Sequence, residues 1–217
     1  MQDPLPVLMG RRVVLREPRE DDAAPLFEYA SDPDVTRFLA FAPPASPSDT
    51  RYFLAKCREH RIQDREYVYV VADAASDRAI GVIGLRHLDQ PMRTAQIGTW
   101  LGREHWGTGA NREAKQLLLD FSFGLLGLHR IEARIALGNH RSRLAFERLG
   151  ARSEGVLRES FFKDGVYHDQ NLFVVLEQEW RDRRRTALAG LPRRSPRLDG
   201  GAGAGGPAGA GGKDGHR

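Results

Sequence analysis

A predicted strand, a loop with two glycines and a predicted helix follow one another between residues 94 and 125, and this segment constrains the fold most strongly. The strand covers residues 94–101, and the loop carries Gly107 and Gly109. Apolar residues then recur at helical spacing, namely Ala114, Leu117, Leu118, Phe121 and Leu125. The start of such a helix presents unpaired N–H groups and the positive end of the helix dipole, so the loop is suited to an anion such as a phosphate.

Two well-known nucleotide-binding loops do not match this segment. A Walker loop is excluded because no Gly-Lys-Ser or Gly-Lys-Thr follows the glycines. A dinucleotide-binding fingerprint is excluded because Arg112 stands where a third glycine belongs. Taken alone, the loop fits an ordinary flexible connection before a helix equally well.

The other hydrophobic patterns predict helices and strands in mixed order. Strands are predicted at residues 13–15, 67–72, 80–85, 131–137, 156–161 and 172–176, and helices at residues 23–30, 48–64 and 144–149. The chain has 217 residues, of which 41% are hydrophobic, enough for one domain with a sizeable core and too few for two full-sized domains. We therefore expect a single α/β domain with hairpins near both ends.

Composition also indicates the compartment. No apolar run approaches the roughly 18 residues of a membrane helix, and the N-terminus lacks the basic and apolar regions of a signal peptide. We expect a cytoplasmic protein with no membrane partner. The single cysteine, Cys57, cannot form an internal disulfide, and its apolar helical position predicts a buried structural thiol. No cysteine or histidine spacing suggests a metal site.

The basic charge is concentrated at the C-terminus. Residues 181–217 contain nine Lys or Arg and three Asp or Glu, so this segment carries +6 and the rest of the chain −2. Residues 200–212 are almost only Gly and Ala, with too little apolar surface to offset the entropy of ordering. We expect a disordered tail over residues 181–217, basic and then Gly/Ala-rich, which contacts nucleic acid weakly at most.

Several motifs occur in one order along the chain. They are Val13-Val14-Leu15-Arg16-Glu17-Pro18, Ile97-Gly98-Thr99-Trp100-Leu101, Trp106-Gly107-Thr108-Gly109-Ala110-Asn111-Arg112-Glu113-Ala114, Asn139-His140-Arg141-Ser142, Glu147-Arg148-Leu149-Gly150-Ala151 and Gly155-Val156-Leu157-Arg158. Together they resemble the GNAT acyl-CoA N-acyltransferase superfamily, in the branch of ribosomal-protein N-terminal acetyltransferases. The resemblance covers about residues 11–180.

The resemblance implies a fold and a co-substrate. The fold is a mixed, mostly antiparallel sheet of α/β (α+β) type, flanked by helices and splayed between its fourth and fifth strands. Acetyl-CoA enters the splay as the co-substrate, and no metal takes part. The pyrophosphate contacts the backbone of Trp106, Gly107, Thr108, Gly109, Ala110 and Asn111, and the pantetheine arm pairs with Thr99, Trp100 and Leu101. By the same resemblance Asn139 contacts coenzyme A.

The sequence departs from the family pattern at three positions. The glycine pattern usually begins with Gln or Arg and ends with Gly or Ala, where this chain has Trp106 and Asn111. Backbone N–H groups still suffice for a phosphate. Many members place a glutamate base on the fourth strand, where this chain has Gln96, which cannot accept a proton. Glu17, Glu104 or His168 could instead relay the proton through water.

Ser142 is the candidate acid that protonates the departing thiolate. It matches the polar position after the family's asparagine. The alternative is purely local: Asn139 caps a helix, and Ser142 completes the cap. Trp106 has a similar alternative, as a packed aromatic residue that anchors the loop. Tyr167 and His168 follow the last hairpin turn and fit a surface turn.

The predicted reaction is transfer of an acetyl or other acyl group to a primary amine by direct attack. About a tenth of free α-amines are neutral at pH 7, against well under a thousandth of lysines, so a site without a strong base favours a protein N-terminus or a small amine of low pKa. One alternative is an acyl-CoA-binding module without catalysis. Another is a ribosome- or RNA-associated protein that binds through its tail. We expect a monomer or homodimer.

Overall fold

One eight-stranded sheet carries the helices in a computed structural model that describes residues 4–63 and 65–189. The strands are β1 (Leu8–Met9), β2 (Val13–Arg16), β3 (Tyr67–Asp73), β4 (Ala79–Asp89), β5 (Thr94–Leu101), β6 (Arg130–Ala136), β7 (Arg152–Lys163) and β8 (Val166–Leu176). The helices are α1 (Ala23–Ala30), α2 (Pro33–Thr36), α3 (Pro47–Ile62), α4 (Ala110–Gly124), α5 (His140–Leu149) and α6 (Glu177–Ala189). The strand order is β1-β2-β3-β4-β5-β6-β8-β7.

The sheet opens between β5 and β6. These neighbours run parallel, whereas the other neighbouring pairs are antiparallel. Pairing across the junction joins Thr94 with Arg130, Ala95 with Ile131 and Gln96 with Glu132. β5 then continues to Leu101 apart from β6. The predicted splay is therefore confirmed. The strand predicted as the fourth is β5 in the structure, because the short β1 was not predicted.

The helices pack on both faces of the sheet. The larger core includes Leu118 of α4, Phe146 of α5 and Trp180 of α6. The smaller core lies under α1 and α3 and includes Leu26 and Leu54. Side chains of β3 alternate between these two cores, as the two-residue period of a strand requires. Within the described residues, no helix combines the length and the apolar composition needed to cross a membrane.

A buried ion pair joins the first strands to α1. Arg16 donates to both carboxylate oxygens of Asp22, at 2.8 and 2.7 Å, and both side chains are almost fully buried. Arg16 also donates to Asp77 in the turn between β3 and β4, and this contact lowers the pKa of Asp77. The charges therefore hold β2, the start of α1 and this turn together.

Residues 181–189 belong to α6 and not to the predicted tail. Trp180 is 3% exposed and donates its indole N–H to Asp120 of α4 at 2.8 Å. Arg184 donates to both oxygens of the same carboxylate, at 3.1 and 2.7 Å. These long-range contacts stabilise a helix that tail composition did not predict. Residues 190–217, the rest of the predicted tail, lie outside the described residues.

Two other predictions differ from the structure. Leu125 belongs to the apolar set that the helical spacing predicts for one buried face, but it follows the end of α4 and is 73% exposed. The last two strands are much longer than the predicted ranges 156–161 and 172–176. In the structure, β7 spans Arg152–Lys163 and β8 spans Val166–Leu176. Most of their side chains are exposed or half-buried, so hydrophobic alternation revealed only part of each strand.

Candidate active site

A cavity of about 610 Å³ lies at the open side of the splay. It is bordered by the end of β5, the glycine loop and the first turns of α4 and α5. The structure brings nine of the predicted site residues together in its wall, namely Thr99, Trp100, Leu101, Trp106, Gly107, Gly109, Asn111, Asn139 and Ser142. Segments far apart in sequence thus build one site.

The glycine loop needs both glycines for its backbone. Gly107 has φ of +78°, and Gly109, the residue before α4, has φ of +91°. L side chains rarely adopt these angles, so the turn that exposes the start of α4 depends on glycine. Thr108 and Ala110 do not line the cavity: the Thr108 hydroxyl bonds to the His105 carbonyl and the Ala110 N–H, and Ala110 is buried.

Trp106 both packs and borders the cavity. Its indole N–H donates to the Leu101 carbonyl at 2.9 Å, which fixes the loop on the end of β5. The guanidinium of Arg141 lies 3.2 Å from the centre of the indole ring. The aromatic ring therefore holds an arginine at the cavity wall by a cation–π contact.

The cavity wall is strongly basic. Its charged residues are Arg112, Lys115, Arg141 and Arg148, against the single carboxylate of Asp34. Coenzyme A carries a pyrophosphate and a further phosphate, so this charge fits the polyanion that the family resemblance implies. These four cations were not predicted as site residues, because arginine and lysine on amphipathic helices usually mark a solvated face.

Lys115 is the most unusual of these cations. Its side chain is fully buried, and its ammonium donates to Asn111 Oδ1 at 2.8 Å and lies 4.6 Å from the centre of the Phe146 ring. Burial lowers the pKa of Lys115 to about 7. The lysine ammonium draws the amide oxygen of Asn111 toward itself. This oxygen, in the first turn of α4, would otherwise repel a phosphate bound at the helix start.

Asn139 and Ser142 occupy the start of α5. Asn139 Oδ1 accepts a hydrogen bond from the Ser142 backbone N–H at 3.1 Å, so the predicted helix cap is present. Both side chains also border the cavity. Among the described residues, the half-buried Ser142 hydroxyl has no hydrogen-bond partner. Capping and a role at the cavity are therefore compatible.

Two features of β5 fit an extended chain such as the pantetheine arm. Thr99 Oγ1 is buried beside the cavity and lacks a partner within the described chain. A buried hydroxyl without a partner is costly unless a ligand supplies one. The β6-facing edge of β5 also loses its neighbouring strand after Gln96. The residues present therefore fit acetyl-CoA.

Gln96 lies outside the cavity wall, at the last paired position before the strands separate. Its side-chain oxygen accepts from Arg134 Nη2 at 3.1 Å and Nε at 3.2 Å in the amide orientation that its neighbours favour. Glu132 is its partner across the ladder, and the Glu132 carboxylate accepts from Arg130 at 2.9 Å. Glu132 and Arg134 were not predicted beside Gln96, because strand register across the splay is a tertiary property.

The three water-relay candidates lie apart from this cavity wall. Glu17 accepts from the Leu5 backbone N–H and borders a different, smaller cavity. Glu104 accepts from the Tyr29 hydroxyl at 2.8 Å. His168 is exposed on β8, where its ring contacts Phe161. Tyr167 is likewise exposed, as expected for a surface turn.

Comparison with known proteins identifies the family. A family model described as an acetyltransferase (GNAT) domain matches residues 12–152. The chain is 32% identical over 173 residues to the uncharacterized N-acetyltransferase p20 of Bacillus licheniformis, a match that covers 80% of this chain and 97% of that protein. The chain belongs to the GNAT acetyltransferase family.

Two further relatives of this GNAT protein have names that state an acceptor. This chain is 30% identical over 113 residues to the ribosomal-protein-serine acetyltransferase of Escherichia coli. The match covers 52% of this chain and 63% of that protein. The crystal structure of spermidine N-acetyltransferase from Vibrio cholerae in complex with CoA and spermine has a TM-score of 0.70 and 25% identity, covering 79% of this chain and 99% of that one. This GNAT protein is an acyl-CoA-dependent N-acyltransferase.

Proposed function

We propose that this GNAT enzyme uses acetyl-CoA to acetylate a primary amine, either a protein N-terminal α-amine or a small amine. The observation that carries the proposal is the basic cavity that joins the glycine loop, the free edge of β5 and Ser142. The relatives named for a ribosomal protein and for spermidine differ in acceptor, so their names support amine acetylation and leave both classes of acceptor open.

The proposed binding of coenzyme A divides among three parts of the cavity. The backbone of the glycine loop and the cations Arg112, Lys115 and Arg141 hold the phosphates. Thr99 and the edge of β5 meet the amide groups of the pantetheine arm, together with Asn139. This arrangement leaves the thioester pointing toward Gln96, where the two strands rejoin.

In the proposed reaction, the neutral amine attacks the thioester carbonyl. A carbon–nitrogen bond forms, the carbon–sulfur bond breaks, and the nitrogen gives up a proton to water. Ser142 donates its hydroxyl proton to the departing sulfur and regains one from water. Gln96 has no basic group, so the enzyme depends on the fraction of acceptor that is already neutral.

The decisive test compares Ser142→Ala with Ser153→Ala, a control at an exposed serine of β7. We measure thiol release from acetyl-CoA with a panel of N-terminal peptides and small amines, and coenzyme A binding by calorimetry. Ser142→Ala should lower kcat by about 10²-fold or more with unchanged binding, because protonation of the leaving group is lost. The control should leave kcat unchanged.

Other outcomes would contradict the proposal at distinct points. Turnover that survives in Ser142→Ala would remove the acid role and retain the acetyltransferase. Tight coenzyme A binding without turnover of any amine would favour a binding module. Absence of coenzyme A binding in the folded protein would remove the cavity assignment itself.

A further inference from the structure

The surface of β5 at Gly98, on the α1–α3 side of the sheet and next to the splay, forms an open slot. The ladder partner of Gly98 on β4 is Gly84, which is buried. A Cβ atom added at Gly98 would meet nothing within 4 Å, whereas one at Gly84 would lie 2.9 Å from the Tyr67 carbonyl. The space above Gly98 is therefore open, whereas the space at Gly84 is filled by the backbone of β3.

The two ends of the slot differ in chemistry. Trp100 and Gln96 flank Gly98 on the same face of β5, since side chains alternate along a strand. Trp100 also borders the large cavity and makes an edge contact with Phe41, with ring centres 6.4 Å apart. The Gln96 end carries the guanidinium of Arg134. One end is aromatic and the other is cationic.

Arg134 differs from the neighbouring arginines because, among the described residues, no carboxylate pairs with its guanidinium. Arg130 pairs with Glu132 and Glu154, at 2.9 and 2.6 Å. Arg86, the ladder partner of Gln96, lies 3.9 Å from Glu66. Among the described residues, Arg134 forms no ion pair, and its side chain is exposed. Its contact with the neutral Gln96 leaves the positive charge uncompensated.

We propose that Arg134 selects acceptor amines that carry an anionic group, a carboxylate or a phosphate, a few bonds from the reacting nitrogen. This inference rests on the proposed function, because it places the thioester near Gln96. The amine lies over Gly98 beside the Trp100 ring, and the anion pairs with the guanidinium. A polyamine acceptor would place a second cation against Arg134 and is disfavoured.

Acceptors of similar size and different charge test this inference, with each kcat/KM referred to the fraction of acceptor amine that is neutral at the assay pH. One set is Ala-Glu-amide, Ala-Gln-amide and Ala-Lys-amide, and the other is 4-aminobutanoate, 4-aminobutanamide and 1,4-diaminobutane. The readout is kcat/KM for thiol release from acetyl-CoA at constant pH and ionic strength. The wild-type enzyme should favour the anionic member of a set over the cationic one by about tenfold or more, the scale of a hydrogen bond to a charged partner.

Three variants separate charge recognition from structural damage. Arg134→Gln should bring the members of a set within about threefold of one another, and Arg134→Glu should favour the cationic member. Arg181→Gln, at an exposed arginine of α6 on the other face of the sheet, should retain the wild-type order. The KM for acetyl-CoA should stay constant in all three variants, which verifies that the cofactor site is intact.

The possible failures are distinguishable. Turnover with a flat or cation-first order in the wild-type enzyme would overturn this inference and leave the acetyltransferase intact. An anion-first order that persists in Arg134→Glu would assign the selectivity to another group and would also overturn it. No thiol release with any of the six acceptors would overturn the proposed function together with this inference.

Discussion

The buried Lys115 illustrates how one residue contributes to the proposed phosphate site. An ammonium group without water costs free energy, which the hydrogen bond to Asn111 and the Phe146 ring offset only in part. A bound polyanion would restore a favourable environment for the charge. We therefore expect the residue that is costly in the free enzyme to contribute to affinity when the phosphates of coenzyme A bind.

Lys115→Met should make coenzyme A binding weaker by about tenfold, since a hydrogen bond to a charged group is lost and the Asn111 oxygen is released toward the phosphates. Calorimetry in buffers of different ionisation enthalpy should show proton uptake on binding to the wild-type enzyme near pH 7.5, and none for the variant. Lys56→Met, at a half-buried lysine paired with Glu59, serves as the control. Equal proton uptake in both variants would contradict the role of Lys115.

The same lysine should make stability depend on pH. Burial lowers its pKa from 10.5 to about 7, so between these values the unfolded chain holds a proton that the folded chain lacks. Stability from this group therefore rises with pH across that window, and below pH 7 the full cost remains. In urea unfolding, Lys115→Met should be more stable than the wild type at pH 7, with the difference shrinking toward pH 10. A difference that grows with pH would contradict the assignment.

At the scale of elements, α4 begins at the proposed phosphate site. The two glycines at its ends, Gly109 and Gly124, differ in backbone conformation. Gly109 adopts φ of +91°, whereas Gly124, in the last turn of α4, has open space where a Cβ would lie and no positive φ. The two positions offer a matched pair of substitutions. Alanine is strained at the first and favours the helix at the second.

Gly109→Ala should destabilise the enzyme by about 1 kcal/mol or more and raise the KM for acetyl-CoA, because the turn that exposes the helix start is distorted. Gly124→Ala should leave the KM unchanged and have a neutral or slightly stabilising effect. Urea unfolding and steady-state kinetics on both variants check these outcomes. An unchanged KM in Gly109→Ala would show that the loop backbone does not hold the phosphates.

Features set by neighbouring residues could be predicted from the sequence, whereas features set by tertiary contacts could not. The glycine loop and the cap at Asn139 were predictable because their geometry depends on neighbouring residues. Lys115 was not, since α4 is buried on two sides and the apolar stripe through Ala114 and Leu118 marks only one of them. The contact of Gln96 with Arg134 depends on the register between two strands that pair over only three positions. No local pattern encodes such a register.

At the scale of the whole molecule, the splay creates a mechanical weakness that α6 compensates. β5 and β6 share three ladder pairs, so the two parts of the sheet have few backbone bonds in common. α4 follows the first part, and α6 follows β8 of the second part. Trp180 and Arg184 of α6 both bond to Asp120 of α4. This contact joins the two parts behind the cavity.

Trp180→Ala should lower the free energy of unfolding by about 3 to 5 kcal/mol, because it leaves a cavity and removes a partner of Asp120. Arg181→Gln should change the free energy of unfolding by less than about 0.5 kcal/mol. Arg181 follows Trp180 in the chain, but it is exposed and pairs with Glu177 of the same helix. Circular dichroism and tryptophan fluorescence, which in Trp180→Ala comes only from Trp100 and Trp106, follow urea unfolding through independent probes. If α6 maintains cooperativity, these probes coincide in the wild type and separate in Trp180→Ala, with the tryptophans at the cavity changing first. Coincident transitions at an unchanged midpoint would show that the splayed sheet holds together without α6.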